Sequence, residues 1–357
     1  MAIFIKNSAY YSSHNIKSYT LDSCSSEQEI RDIENASGGK SLILVLGQYP
    51  GGEPMVKLYK SWYDDSAWNE VDIEIQGHSP LELLQLCELV DCLRSNNISI
   101  RNLNIPYFPG ARQDRRNSPK PGDLNNASGL SVKVYADIIN NLKIDNITIL
   151  DPHSDVVTAL VNNVNPISVK QVLTDNHAIT SIKRQQLEEG GRLSSWNGYD
   201  LSGPIGTDFD FNTESPYLGV IAPDAGAAKK VFDLTTMYLF DPNDDKYHLK
   251  FAQAMKHRDT STGQLSMFEA PKVEDGKWLV VDDICEEGGA FIGLAKAFKE
   301  KNPNSSLDLY VSHGIFSKPV SNLFEYYDNI ITTNSWDQTQ NLNDYPDRFK
   351  VIKVIDL

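Results

Sequence analysis

Two adjacent carboxylates, Asp282 and Asp283, close an apolar run that begins at Trp278. The chain then continues Ile284-Cys285-Glu286-Glu287-Gly288-Gly289-Ala290. Paired aspartates suit the vicinal hydroxyls of a ribose, because an ionised carboxylate only accepts hydrogen bonds. The glycines let backbone N–H groups approach a phosphate, and an apolar-periodic helix from about Phe291 to Lys299 would point its N-terminus at the same place. In an open α/β sheet, ligands gather outside the carboxyl ends of the strands. A strand, turn and helix with solvated acids would carry the same residues, so the remaining segments must decide.

Four further segments hold chemistry at the ends of apolar runs. Ile105 to Arg116 places Arg112, Gln113 and Asp114 after a strand, where a guanidinium fork matches phosphate oxygens and an amide can read a purine edge. Asp151-Pro152-His153-Ser154 sets a histidine after a strand, able to ligate a metal or touch a phosphate. Pro223-Asp224-Ala225-Gly226 repeats the pattern. Asp224 could hold magnesium, bind a sugar hydroxyl or cap the following helix. Lys256-His257-Arg258-Asp259 leads into the polar stretch Thr260–Leu265. Its cations could stabilise charge on a transferring phosphoryl group, or belong to an exposed charged turn.

Elements of alternating type must position these groups. Ser41–Gly47, Ile98–Ile105 and Ile147–Leu150 read as strands, and Leu81–Ser95 (opened by Ser79-Pro80) and Gly129–Asn141 as helices. Strands at Tyr217–Ala222, Leu279–Val281, Ser306–Val311 and Asn329–Thr332 repeat the pattern, with helices after Gly226 and Gly289. The alternation predicts an α/β fold of two domains, each a mainly parallel sheet with helices on both faces. We place an N-terminal domain at 1–165 and a C-terminal one at 166–357, with an inserted loop at about 185–215, where periodicity fails.

Bulk properties narrow the function. A chain of 357 residues supports about two domains. A net charge of −15 disfavours a general nucleic-acid or anionic-membrane surface, so any polyanionic substrate must be held by local basic clusters. No apolar run spans a bilayer, and no signal-peptide pattern opens the chain. The four cysteines lack metal-ligand spacing, and Cys87 and Cys92 read as reduced core residues. A cytoplasmic protein is expected.

In order, these segments resemble the ribose-phosphate diphosphokinases, or phosphoribosyl pyrophosphate synthetases, from about Leu42 to Thr333. The likeness is strongest at Pro106-Tyr107-Phe108 through Ala111-Arg112-Gln113-Asp114-Arg115. It continues at Pro223–Gly226, at Val281-Asp282-Asp283 with Gly288-Gly289, and at Ser312-His313-Gly314-Ile315-Phe316-Ser317. The resemblance implies two phosphoribosyltransferase-like, Rossmann-like domains, with an active site between them that a neighbouring subunit completes. It implies magnesium-dependent transfer of the β,γ-diphosphate of ATP to the anomeric hydroxyl of a ribose 5-phosphate unit, releasing AMP. Carried over by position, Arg112, Gln113 and Asp114 belong to the ATP site, and Tyr49 and Glu53 match a loop laid against adenine. His153 and Asp224 fall at magnesium-associated positions, Lys256 and Arg258 match the transition-state cations, and Asp282 and Asp283 match the ribose contacts.

The departures concern the acceptor. The family's phosphate loop usually reads Asp-Thr-Gly-Gly-Thr, whereas this chain has Glu286-Glu287-Gly288-Gly289-Ala290 after Cys285. Two hydroxyls are missing, each worth about 1 kcal/mol. An inward Glu287 would repel a phosphate monoester by about 4 kcal/mol per unit charge at an effective dielectric near 20. These changes favour a capped phosphate, so ADP-ribose is the expected acceptor, as in a phage-type branch that rebuilds NAD, with free ribose 5-phosphate as the alternative. Gly51 stands where the family commonly has Asp, and Pro152 replaces a leucine. The chain stops at Leu357 without the helix that normally follows the last strand, which questions family-type hexamers; a homodimer or higher oligomer is expected. A non-catalytic, synthetase-associated regulatory protein is the rival reading, weighed against by the retained Arg112, Gln113, His153, Lys256 and Arg258.

Overall fold

The computed structural model describes residues 2–7, 17–22, 27–36, 41–60, 70–76, 79–116, 127–175, 217–235, 249–258 and 265–354. The inserted loop expected at 185–215 lies outside them. By its contacts the chain divides into two compact units, Met1–Ile167 (with Ser335–Asp337) and Ser168–Asn334 with Gln338–Val354.

The N-terminal unit opens with β1 (Ala2–Asn7), β2 (Lys17–Asp22), α1 (Glu27–Ala36), β3 (Ser41–Gln48) and β4 (Pro54–Lys60). It continues with β5 (Glu70–Gln76), α2 (Pro80–Ser95), β6 (Ser99–Asn104), α3 (Ser131–Asn141), β7 (Ile147–Leu150), α4 (Asp155–Leu160) and β8 (Val164–Ile167). Among the described residues, its main sheet has the order β1-β5-β6-β7-β8, with β1 antiparallel and the rest parallel. Ile73, Leu103 and Ile149 at the sheet centre are fully buried against Leu86, Leu89 and Leu93 of α2 and Ile139 of α3. Helix α2 begins as its sequence dictates: the Ser79 side chain accepts the Glu82 N–H at 3.2 Å, and Pro80 occupies the first turn.

Strand β3 departs from the expectation. It lies outside the main sheet, in a smaller one of order β2-β3-β4, paired antiparallel to β4. Its unbroken apolar run looks the same whether helices or a hairpin partner cover it, so composition alone could not separate the two.

The C-terminal unit comprises α5 (Val169–Asp175), β9 (Gly219–Ala222), α6 (Ala228–Thr235), β10 (Lys250–Gln253), β11 (Met255–Arg258) and β12 (Leu265–Glu269). Then follow β13 (Lys277–Cys285), α7 (Gly289–Lys301), β14 (Ser306–Gly314), α8 (Ser321–Phe324), β15 (Ile330–Thr333), α9 (Thr339–Asp344) and β16 (Phe349–Ile352). The main sheet is wholly parallel, in the order β10-β9-β13-β14-β15-β16. From β9 the chain passes through α6 to β10 on one side, then returns to lay β13 on the other. The topological switch point therefore falls between β9 and β13, where open α/β sheets bind ligands. Strand β13 is longer than its apolar core: it pairs with β14 through both aspartates as far as Cys285.

Candidate active site

Asp224 leaves the carboxyl end of β9, and Asp282 and Asp283 ride the last residues of β13, so the switch point carries three acids. Asp224 Oδ1 accepts the N–H groups of Gly226 at 2.8 Å and Ala227 at 3.3 Å, which fixes the turn into α6. Its Oδ2 faces Lys256 Nζ at 3.8 Å. The cap thus uses one carboxylate oxygen and leaves the other toward Lys256.

Lys230, in the first turn of α6, sets its ammonium 3.7 Å from Asp283 Oδ1, and both side chains are largely buried. Asp282 Oδ1 accepts the Asp283 N–H at 2.9 Å. Burial pushes the Asp282 carboxyl well above the ordinary carboxylate range and the charge of Asp283 adds to the rise, while Lys230 opposes it. The acids form a pair that holds a proton more readily than a solvated carboxylate, with one cation restraining that tendency. Lys230 went unread in the sequence. The available signal was a lysine one turn into the helix that follows the strand-end acid.

Beyond the acids, Cys285 is fully buried, and desolvation first, then Asp282, raises its thiol to about 12. It therefore packs as a neutral side chain. Its carbonyl accepts the N–H groups of Ile315 at 2.9 Å and Phe316 at 3.1 Å, and the Glu286 carbonyl accepts that of Ser317 at 2.8 Å. The Ser312–Ser317 segment thus braces the loop from behind. Gly288 has φ +81° and caps α7, a conformation that strains any L side chain. Gly289 and Ala290 begin the thirteen-residue helix, so its unsatisfied N–H groups face the loop, a site suited to a phosphate. Glu286 and Glu287 are both exposed. Water therefore screens them: at about 4 Å the repulsion per unit charge falls toward about 1 kcal/mol. The electrostatic term no longer exceeds the loss of the two hydroxyls.

In the N-terminal unit, the segment after β6 is anchored by Tyr107, Phe108 and Ala111, all buried, which leaves Arg112 and Gln113 exposed. The Gln113 side-chain carbonyl accepts from the Ser131 hydroxyl at the start of α3, and its N–H donates to the Gly110 carbonyl at 3.1 Å. Asp114 is half-buried, with Arg115 Nε 3.9 Å away. After β7, buried Asp151 adopts φ +35° and donates its N–H to the Ile167 carbonyl at 2.7 Å, turning the chain so that His153 is exposed. Tyr49 and Glu53 flank the tip of the β3–β4 hairpin, joined by the Tyr49 N–H to Glu53 carbonyl bond at 2.8 Å; both are exposed. The structure thus places Asp224, Asp282 and Asp283 at strand ends, with Lys256 of β11 beside Asp224, in one unit, and Arg112, Gln113, Asp114 and His153 in segments that follow strands of the other. Of Arg258, on β11, only the backbone is described, in register with Leu265 of β12.

Magnesium takes oxygen ligands and commonly needs only one or two carboxylates beside substrate phosphates. Asp224 Oδ2 fits that role. His153 does not fit as a direct ligand, because imidazole suits softer metals; an exposed imidazole at a strand end suits a phosphate oxygen. Among the described residues no group of three or more His, Cys, Asp or Glu side chains is placed to hold a metal ion, and no helix is long and apolar enough to cross a membrane.

Two mainly parallel α/β units, one with an acid pair and a glycine-led helix at its switch point, make a phosphoribosyltransferase-like fold. The solved structure of phosphoribosylpyrophosphate synthetase from Mycobacterium smegmatis has this fold, with a TM-score of 0.59 at 17% identity over 95% of both chains. Ribose-phosphate pyrophosphokinase of Mycoplasmopsis pulmonis is 22% identical over 279 residues, 77% of this chain and 70% of that protein. The Brucella melitensis enzyme of the same name is 23% identical over 77% of this chain and 74% of its own length. That of Rhizobium meliloti is 23% identical over 66% and 60%. No family model matches. The chain is thus similar in sequence to ribose-phosphate pyrophosphokinases and in fold to a phosphoribosylpyrophosphate synthetase.

Proposed function

We propose that this protein transfers the β,γ-diphosphate of ATP to the anomeric hydroxyl of a ribose 5-phosphate unit and releases AMP. The observation that carries the reading is the switch point of the C-terminal unit. There an acid pair suited to a vicinal diol stands beside a phosphate-binding helix start and a lysine–aspartate pair. Asp282 and Asp283 accept the sugar hydroxyls, and the N–H groups from Gly288 to Ala290 hold the 5-phosphate. Lys256, with Arg258 on the same strand, neutralises charge on the transferring group. Magnesium, held through Asp224 Oδ2, would supply a counter-charge for the ATP phosphates. Arg112, Gln113 and Asp114 take the nucleotide, Tyr49 and Glu53 border its base, and His153 contacts a phosphate.

Free ribose 5-phosphate is the first acceptor to offer. The relatives are named for ribose phosphate, and screening of exposed Glu286 and Glu287 removes most of the penalty on a doubly charged phosphate. ADP-ribose is the second. The loop lacks both threonine hydroxyls, and a diester carries less charge beside Glu287. AMP release is measured with ATP, magnesium and each acceptor in turn. Turnover of ADP-ribose alone would reverse the order, and turnover of neither would leave the regulatory, non-catalytic reading.

A further inference from the structure

Lys256 and Phe268 stand directly opposite each other across the antiparallel β11–β12 ribbon. Residues so paired project from the same face. On that face the Lys256 ammonium lies 3.8 Å from Asp224 Oδ2. The Phe268 ring rests on α7 at Gly293, so closely that a Cβ added there would stand 2.2 and 2.4 Å from two ring carbons. Gly293 lies one turn beyond Gly289, where the helix begins, and Phe268 packs against the core that contains Phe291 and Leu294. A glycine inside a helix costs about 1 kcal/mol relative to alanine. The seat for an aromatic ring gives this one a reason.

Resting on the function proposed above, we infer that Phe268 seated on Gly293 is a positioning device that sets Lys256 over Asp224. It couples the ribbon carrying the cations to the helix that opens on the sugar-phosphate loop. Neither residue reaches substrate; both act through Lys256. Placement matters because a misplacement of about 1 Å can cost about 10²-fold in rate.

The test compares Gly293→Ala, Phe268→Leu and the double variant with the unaltered chain. The new methyl group lifts the ring, so Gly293→Ala should lower kcat by about tenfold to 10²-fold. Removing uniform binding would instead raise KM, so KM for the acceptor should stay within about twofold. Its unfolding midpoint should fall only modestly, because the gain from the better helix former offsets part of the cost of lifting the ring. The smaller leucine should restore most of kcat in the double variant. Full activity in Gly293→Ala, or a loss that Phe268→Leu does not relieve, overturns the inference. If Gly293→Ala does not fold, Phe268→Ala replaces it with the same expected fall in kcat at constant KM, and unchanged kcat there overturns the inference. If the unaltered chain releases no AMP with either acceptor, the functional reading fails separately. The seat is then judged by amide exchange in Met255–Arg258 and Leu265–Glu269: faster in Gly293→Ala and recovered in the double variant supports it, and unchanged exchange refutes it.

Discussion

Replacing Lys230 by methionine removes a cation that opposes protonation of Asp282, while retaining an apolar stem in the same space. The ammonium lies 3.7 Å from Asp283 Oδ1, with side chains 21% and 8% exposed. Two unit charges about 4 Å apart at an effective dielectric near 20 interact by about 4 kcal/mol, an upper bound on what the ammonium contributes to keeping the pair ionised. Water readmitted beside the acids, and sharing of the effect between them, bring the expected effect well below that bound. The sign is set by chemistry. Loss of a cation disfavours the ionised form, so the pair's apparent pKa moves up, and hydroxyl recognition needs the ionised form. The acid limb of kcat/KM against pH should therefore shift toward higher pH, whereas Lys230→Arg should leave it near its original place. Stability follows the same sign. A carboxyl whose folded pKa is raised contributes fully below its unfolded value and loses that contribution as pH rises through the folded one. The urea midpoint of Lys230→Met should accordingly fall over a range extending further toward neutral pH. An acid limb that does not move would refute the idea that Lys230 governs the pair.

Three further outcomes are expected. Lys256→Ala combined with Arg258→Ala should lower kcat by about 10³-fold, in line with cations at phosphoryl-transfer centres, with KM for the acceptor little changed; unchanged turnover would remove both from the reaction. Gly288→Ala should cost about 1–2 kcal/mol, because φ is +81° and the new Cβ meets Leu323 at 3.2 Å, and a urea titration with no loss would contradict the strain argument. Asp308, buried within β14, accepts from Tyr217 Oη at 2.6 Å, Lys277 Nζ at 2.8 Å and Asn329 Nδ2 at 3.0 Å. Asp308→Asn leaves Lys277 without its counter-charge and should cost about 3 kcal/mol, while an unchanged unfolding midpoint would show that water replaces the carboxylate there.

The chain announces its strand-end chemistry because those residues must break local rules. An aspartate pair ending a β-branched run, a double glycine before a helix, and arginines in an acidic protein all stand out from a packed background. The strand before Asp151 was readable residue for residue, and the start of α2 could be read from Ser79-Pro80. Sheet membership could not. Strand β3 carries the apolar run of a parallel core strand, yet it pairs with β4 in another sheet, because pairing is a long-range choice that a local pattern does not encode. The short apolar stretch Leu279–Val281 likewise ended too early, since parallel pairing with β14 carries β13 through the polar aspartates to Cys285.

The same division explains what was missed in the site. Lys230 was not named and Lys256 was named without its partner: both face acids far from them in sequence, and only the fold decides that they meet Asp283 and Asp224. Glu287 shows the converse: its charge is plain in the sequence, but the strength of its effect depends on exposure, which lowers the repulsion from about 4 toward about 1 kcal/mol. Acceptor choice therefore turns on the difference between two small terms, two absent hydroxyls and one screened carboxylate. On the proposed function, discrimination that narrow would be set by how closely the acceptor's phosphate approaches Gly288 and Gly289. A loop braced from behind by Ser317, and capped by a glycine that cannot easily be exchanged, has little freedom to retreat from it.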